Sequence, residues 1–371
     1  MMKIPLVDIK ANYLSIKKDI DNAIQQVINN SSFIMGPFLK EFEENFAKFC
    51  KVKHAIGCSS GTTALHLALL CAGIKKGDEV VTVPNTFIAT TECISYVNGA
   101  IKFVDVDPET ALVDIDQLEK AVTPKTKAIV VVHLYGQMPD MKRIKDITDD
   151  YDLFLIEDAA QAHAAEWRGH QPGYYGDVAT FSFFPAKNLG CFGDGGAVIT
   201  DNDEIAEKIR LLVNHGRSTK YEHLMEGFNY RLDALQAAIL NAKLPYLPRW
   251  TELRRKHAAF YNHHLPEEVE RPVEINGAKH VYYMYVIRTQ KRDELMKHLK
   301  ERGVSCGIHY PLPLHLQPAY KDFGFKKGDF PVSETLAKEI LSIPVYPELT
   351  EEQLNYIVDN IKQFFSNCLS S

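Results

Sequence analysis

Seven cysteines are spread over 371 residues, and no two of them form a CxxC pair. An odd set without paired spacing points to reduced thiols, and away from a zinc site or a disulfide framework. No apolar run approaches the roughly eighteen residues needed to cross a bilayer, and the start, MMKIPLVDIK, lacks the apolar centre of a signal peptide. The expectation is a soluble, cytoplasmic chain with no membrane partner. Positive charge is also short, since 42 Lys and Arg stand against 48 Asp and Glu, a net charge of −6. Without a general positive field there is nothing to hold nucleic acid, and a phosphate-bearing ligand must be met by a local site. Neither a GxxxxGK[ST] loop nor a GxGxxG fingerprint occurs, which leaves ATP and NAD poorly supported.

What remains is an ordinary globular composition, 46% hydrophobic and 24% charged, in a chain long enough for one large domain and a smaller one. Ile16, Ile20, Ile24, Val27 and Ile28 recur at helical spacing, and a second amphipathic stretch covers 38–49. Strand and helix signals then alternate. Strands are predicted at 54–57, 79–83, 101–104, 127–132 and 153–156, with helices at 62–70, at 88–97 and after Asp140. Helices of that length between strands make crossovers, and so an α/β fold with a mostly parallel sheet covered on both faces. Stretches 178–183 and 197–200 close the sheet. After Arg231 a helical pattern, interrupted at Pro245 and Pro248, leads to a small α+β part. There a strand is expected at 281–288, a helix at 292–302, an extended stretch at 304–308 and a terminal helix at 351–365. The expected division is a large domain over 1–245, including the N-terminal helices, and a small one over 246–371.

Three segments could carry chemistry. GCSSGTTALHLALL (57–70) puts glycine and hydroxyl residues before an apolar helix, where free N–H groups and the hydroxyls of Ser60, Thr62 and Thr63 could hold a phosphate. Taken alone, a simple helix cap by Ser60 or Thr62 is the favoured reading. DLFLIEDAAQAHAA (152–165) ends an apolar strand in Asp158, at the strand end where α/β sheets keep ligand-binding groups. Its carboxylate could keep a ring nitrogen protonated, or cap the next turn, with little to choose between them. GDVATFSFFPAKNLGCFGDGGAVIT (176–200) sets Lys187 between aromatic stretches, beside Gly190, Gly193, Gly195 and Gly196. A lysine is ordinarily a solvated surface group, but a desolvated one with a lowered pKa forms Schiff bases. Phosphate, pyridinium nitrogen and aldehyde are the three handles of pyridoxal phosphate.

These segments, in order with PLVDIKANY, SSFIMGPFLKEFEENFAKF, GDEVVTVPNTFIAT, VVHLYGQMPDM, GFNYRLDALQAAIL and IHYPLPLHLQPAY, resemble the DegT/StrS-type sugar aminotransferases. That family is a branch of the aspartate-aminotransferase superfamily, and the likeness covers nearly the whole chain. It implies the aspartate-aminotransferase-like fold, PLP fold type I, and pyridoxal 5'-phosphate joined to Lys187, with pyridoxamine 5'-phosphate as the alternate form. By the same likeness Asp158 pairs with the ring nitrogen, Gln161 lies beside the phenolic oxygen and Phe87 stacks on the ring. Gly61, Thr62 and Ser182 match the phosphate contacts, joined by Asn229 from a second subunit, so that the site is shared in a homodimer. His309, Tyr310 and His315 match a substrate-facing segment, and Arg231 is read as structural.

The implied reaction moves an amino group from L-glutamate to a keto sugar on a nucleotide diphosphate. SFFPAKNLG and IHYPLPLHLQPAY are most similar to members acting at C-3 of a dTDP-3-keto-6-deoxyhexose. An amino sugar for a lipopolysaccharide, O-antigen or other glycoside would be the product. Two alternatives are a UDP-3-keto-N-acetylhexosaminuronate as acceptor, and a non-catalytic sensor of the cofactor or nucleotide sugar. Lys187 and Asp158 together weigh against the sensor.

Overall fold

A computed structural model describes residues 2–369 of the chain. Its strands are β1 (His54–Cys58), β2 (Glu79–Thr82), β3 (Ala100–Phe103), β4 (Thr126–Val132), β5 (Phe154–Asp158), β6 (Glu166–Trp167), β7 (Val178–Ser182), β8 (Gly196–Thr200), β9 (Ala278–Lys279), β10 (Tyr285–Arg288) and β11 (Ile340–Ile343). Seven of them form one sheet in the order β1-β8-β7-β5-β4-β2-β3. β8 runs antiparallel to both β1 and β7, and every other pair is parallel. The mostly parallel sheet expected from the alternation is therefore present.

The sequence TKAIVVV of β4 has no polar face because both of its faces are covered. Ile129 and Val131 pack into a core with Phe42, Phe46, Ile144 and Phe181, whereas Ala128 and Val130 pack into another with Leu67, Ile94 and Val198. Alternate side chains thus enter opposite cores, as the pleat dictates. Helices not anticipated in the sequence are Ile115–Ala121, Asp203–Leu212, Pro331–Glu339 and Ile9–Ser15. The first two begin at Asp114 and Asn202, whose side chains accept two backbone N–H groups each.

The C-terminal part carries a third core, with Tyr261, Tyr285, Leu295, Ile343 and Ile357 between the β10–β11 pair and the helices Leu247–His264, Arg292–Glu301 and Glu351–Leu369. Residue 245 lies in the short turn Leu244–Tyr246 that joins the helix Ala234–Lys243 to Leu247–His264. Ile4 belongs to this third core as well, through its bridge to Val304. One stretch differs from expectation: β10 starts at Tyr285 because the backbone at Val281 and Tyr283 bonds instead to the turn at Tyr135 and Gly136. Stretch 304–308 makes single bridges, Val304 to Ile4 and Gly307 to Ser342.

Candidate active site

A cleft of about 430 Å³ opens at the carboxyl ends of β1, β5 and β7 and at the residues just before β8. In an open α/β sheet this is the edge where ligand groups gather, because loops rather than helix backs close it. Asp158 ends β5 and is 6% exposed. Its Oδ1 accepts the Ala160 N–H at 3.2 Å, and its Oδ2 accepts the Thr90 hydroxyl at 2.9 Å. Burial pushes its pKa up, and those two hydrogen bonds and the nearby Lys187 oppose the rise.

Lys187 sits on the loop between β7 and β8, in a turn closed by its N–H on the Phe184 carbonyl at 2.8 Å. Its side chain is half-buried at the cleft wall, with Nζ 4.5 Å from the centre of the Tyr283 ring. Burial lowers its pKa to about 8, while Asp158 acts the other way. At neutral pH roughly a tenth of such an amine is unprotonated, against a negligible share for a free lysine. An amine in that state has the chemistry that forming a Schiff base requires.

Ser60 caps the helix Gly61–Cys71, accepting the Thr63 N–H at 3.1 Å, while Thr63 Oγ1 accepts the Ser60 N–H at 3.0 Å. The capping reading of Ser60 is therefore right. The Ala64 N–H is bonded to the Ser60 carbonyl, so Gly61 and Thr62 carry the open N–H groups of this first turn. Ser182, at the end of β7, lies against them, and a Cβ on Gly61 would come within 2.7 Å of its Cβ. The register explains why: Cys58 and Ser182 both pair with Gly196, which brings the ends of β1 and β7 to one place. Gly190 and Gly196 are small for close approach and not for a left-handed turn. A Cβ on them would meet Pro185 O at 2.4 Å and Ser60 O at 2.3 Å.

Gln161 lines the cleft, its Oε1 accepting the Tyr135 N–H at 2.7 Å and its Nε2 donating to the Tyr310 hydroxyl at 3.3 Å. Phe87 stands at the mouth, 53% exposed, with its ring 5.9 Å from that of Tyr310. His309 also lines the cleft, and burial lowers its pKa, with Lys187 adding to the effect. Its Nδ1 shares a hydrogen bond with Ser342 Oγ at 2.9 Å.

Gly61, Thr62, Phe87, Asp158, Gln161, Ser182, Lys187, His309 and Tyr310 thus come together. Two residues from the sequence reading do not. His315 is buried outside the cleft, with Nε2 3.1 Å from Glu334 Oε1 and its ring edge-on to Phe330, where it braces the loop that follows. Asn229 is exposed outside its own cleft, bridged to Asn214. Arg231 donates to Asn214 Oδ1 at 2.9 Å. Sequence reasoning missed Thr90, Tyr135, Tyr283 and Asp194. Thr90 had a signal, since it follows Phe87 by one helical turn in PNTFIAT. Tyr283 had none, because its approach depends on a distant chain return.

The donor set fits pyridoxal phosphate: open N–H groups and hydroxyls of Gly61, Thr62 and Ser182 for the phosphate, a buried carboxylate for a ring nitrogen, and a desolvated amine for the aldehyde. The fold and these three groups define an α/β enzyme of the aspartate-aminotransferase type.

Residues 14–362 match the DegT/DnrJ/EryC1/StrS aminotransferase family, and the chain belongs to it. Members of this family are pyridoxal-phosphate-dependent sugar aminotransferases. A protein of Geobacillus stearothermophilus named as a pleiotropic regulatory protein is 48% identical over 98% of this chain and 99% of its own length. The dTDP-3-amino-3,4,6-trideoxy-alpha-D-glucose transaminase of Streptomyces venezuelae is 41% identical, covering 98% and 96% of the two chains. A UDP-2-acetamido-2-deoxy-3-oxo-D-glucuronate aminotransferase of Pseudomonas aeruginosa is 40% identical, covering 95% and 98%. Among solved structures, that of S. venezuelae DesV in complex with a ketimine intermediate superposes with a TM-score of 0.95 at 40% identity, over 98% of this chain and 99% of that one.

Proposed function

We propose that this protein aminates C-3 of a dTDP-3-keto-6-deoxyhexose with L-glutamate as donor, working as a homodimer in the cytoplasm and supplying an amino sugar for a surface glycan or a related glycoside. The observation that carries the reading is the pairing, in one cleft, of an amine held near pKa 8 with a buried carboxylate. When bound there, the cofactor supplies an electron sink for the carbon that gives up its proton. Lys187 is the amine that would hold the cofactor through its aldehyde, and as a free base it would be placed to take up and give back a proton beside the reacting carbon. Asp158 would keep the ring nitrogen protonated, Gln161 would orient the ring through its oxygen, and Phe87 would cover one face. Gly61, Thr62 and Ser182 hold the phosphate.

The cleft wall favours an uncharged sugar. Among the described residues lining it, Lys187 is the one Lys or Arg, and Asp194 adds a carboxylate. A hexosaminuronate would bring its own carboxylate to this wall. Asn229 supports the dimer, being exposed on the same loop as Tyr221, Leu224 and Met225, which are 82%, 62% and 37% exposed. Apolar surface of that kind beside a polar group suits a second copy.

Glutamate with each nucleotide sugar tests the assignment. Turnover of the dTDP-3-keto-6-deoxyhexose is expected, and turnover of the UDP-uronate alone overturns it. If no amino transfer occurs with any acceptor, and no 2-oxoglutarate forms from glutamate, the sensor reading replaces it.

A further inference from the structure

Behind the Lys187 loop, on the side away from the cleft, lies a second and much smaller chamber of about 30 Å³. Lys187 and Gly190 form part of its wall, and the rest comes from the N-terminal segment with Asp8 and Asn12, from Lys243 and Arg254 on the two central helices, and from Tyr346 and Glu348. Three side-chain atoms here are buried with no protein partner: Arg254 Nε, Tyr346 Oη and Glu348 Oε2. Arg254 is 4% exposed and Tyr346 2%. Arg254 donates through Nη1 to the carbonyls of Val345 and Tyr282, and Glu348 Oε1 accepts from Asn12 Nδ2 at 2.9 Å. Lys243, 2% exposed, donates to the Gly190 carbonyl at 2.7 Å.

An unpaired buried donor or acceptor costs about 1–3 kcal/mol, so three around one space are not a neutral feature of a fold. The chemistry of the three selects what satisfies them. Arg254 Nε can only donate, Glu348 Oε2 can only accept, and the Tyr346 hydroxyl does either. A halide would face the Glu348 carboxylate, and an alkali cation would face Lys243 and Arg254. Water matches all three, and the volume is enough for a water molecule.

We propose that this chamber is a built water site, joining Arg254 Nε, Tyr346 Oη and Glu348 Oε2, and that with Lys243 on Gly190 it positions the Lys187 loop from behind. The loop from Pro185 to Gly190 is then held from both sides, by the cleft wall at Lys187 and by the hydrated charged cluster at Gly190. Lys243 and Glu348 are positioning residues that act through Lys187. Their role rests on the reading of Lys187 as the reactive lysine, whereas the water site itself does not.

Two measurements on the holoenzyme test it. A crystal structure at high resolution is expected to contain one or two water peaks within hydrogen-bond distance of both Arg254 Nε and Glu348 Oε2. Direct closure of Arg254 onto Glu348, a dry chamber, or halide density overturns the water site. Glu348→Leu removes the acceptor and Glu348→Gln restores one. The Leu variant is expected to lower kcat roughly tenfold with KM little changed, and to shift the pH titration of the visible absorbance, while Gln recovers both. If Leu and Gln behave alike in that titration, or if neither departs from the parent protein, the positioning role is overturned. A Leu variant that fails to fold leaves the diffraction result decisive for the water, and Lys243→Met then carries the same kinetic comparison. A filled chamber in a protein without amino transfer would condemn the assignment of Lys187 and spare the water site.

Discussion

Thr90 donates its hydroxyl to Oδ2 of Asp158 over 2.9 Å, with both side chains buried, and Thr86 Oγ1 lies 3.2 Å from that same hydroxyl. The carboxylate is therefore gripped at both oxygens, since the Ala160 N–H holds the other. Burial raises the Asp158 pKa, and the Thr90 bond is one of the groups working against that rise. Thr90→Val removes it. The pKa of Asp158 then climbs further, so the acid limb of the kcat/KM profile moves to higher pH. A hydrogen bond to a charged group is worth about 1.5–3 kcal/mol, which sets the expected loss at roughly 10- to 100-fold. Thr90→Ser should restore most of it. Asp158→Asn should lose more than Thr90→Val, because the charge itself is gone. An unmoved acid limb in Thr90→Val would show that the hydroxyl does not tune the carboxylate.

Asp158 stood out in the sequence as a carboxylate ending a buried strand, a pattern that a turn cap fits equally well, and Lys187 stood out because aromatic and glycine neighbours are poor company for a solvated amine. Thr90 was not. Its chemistry is ordinary, and only the pairing of β2, β4 and β5 brings the loop after β2 across to the end of β5. The same holds for Tyr283, in a stretch whose sequence predicts a strand from Val281. Its alternating apolar pattern fits a strand, but the backbone bonds of Val281 and Tyr283 go to the Tyr135–Gly136 turn. Local pattern cannot show such a return of the chain. His315 misled for the opposite reason: a histidine in a proline-held loop has the chemistry of a site, and the burial against Glu334 and Phe330 that removes it from the cleft is set by a segment nineteen positions away.

Gly196 should tolerate no side chain at all. Its ideal Cβ falls 2.3 Å from the Ser60 carbonyl oxygen and 2.4 Å from the carbon of the same group, and both are backbone atoms at a capped helix start. Gly196→Ala must push the end of β1 away from β7, which costs about 2 kcal/mol or more. A lower Tm and weaker retention of pyridoxal phosphate on dialysis are expected together. Gly193→Ala is the control, because its nearest neighbours are side-chain atoms of Gln236 at 3.3 Å and beyond. Equal Tm values for the two variants would contradict the close-approach account.

Lys187 should weaken the fold it serves when no cofactor is bound. Its folded pKa of about 8 lies below the ordinary 10.5, so the charged form is penalised on folding. For a base shifted in that direction the penalty is complete below pH 8 and fades as pH rises towards 10.5. The apo form of Lys187→Met is therefore expected to be more stable than the apo parent at pH 7 by about 1–3 kcal/mol, the upper end discounted because the side chain keeps some contact with water. The gap should narrow as pH is raised from 8 to 10.5 in urea titrations of both proteins. A gap that stays constant with pH would assign the gain to the methionine's apolar surface instead. The same variant should lose amino transfer by roughly 10³-fold or more.

Asn229 gives the most discriminating test of assembly, because it is exposed and outside the cleft of its own chain. If it completes the phosphate site of a second copy, each cleft draws Lys187 from one chain and Asn229 from the other. Lys187→Ala homodimers are then inactive, and Asn229→Ala homodimers are weakened in both clefts. In a mixed dimer of the two, one cleft carries both defects and the other carries neither. Random exchange makes half of the dimers mixed, each with one intact cleft, so co-refolding equal amounts should bring activity to about a quarter of the parent level. The Lys187→Ala chain contributes nothing on its own, so any rise above half of the Asn229→Ala activity must come from the intact mixed cleft. Simple averaging of the two activities after exchange would mean that Asn229 serves only its own chain.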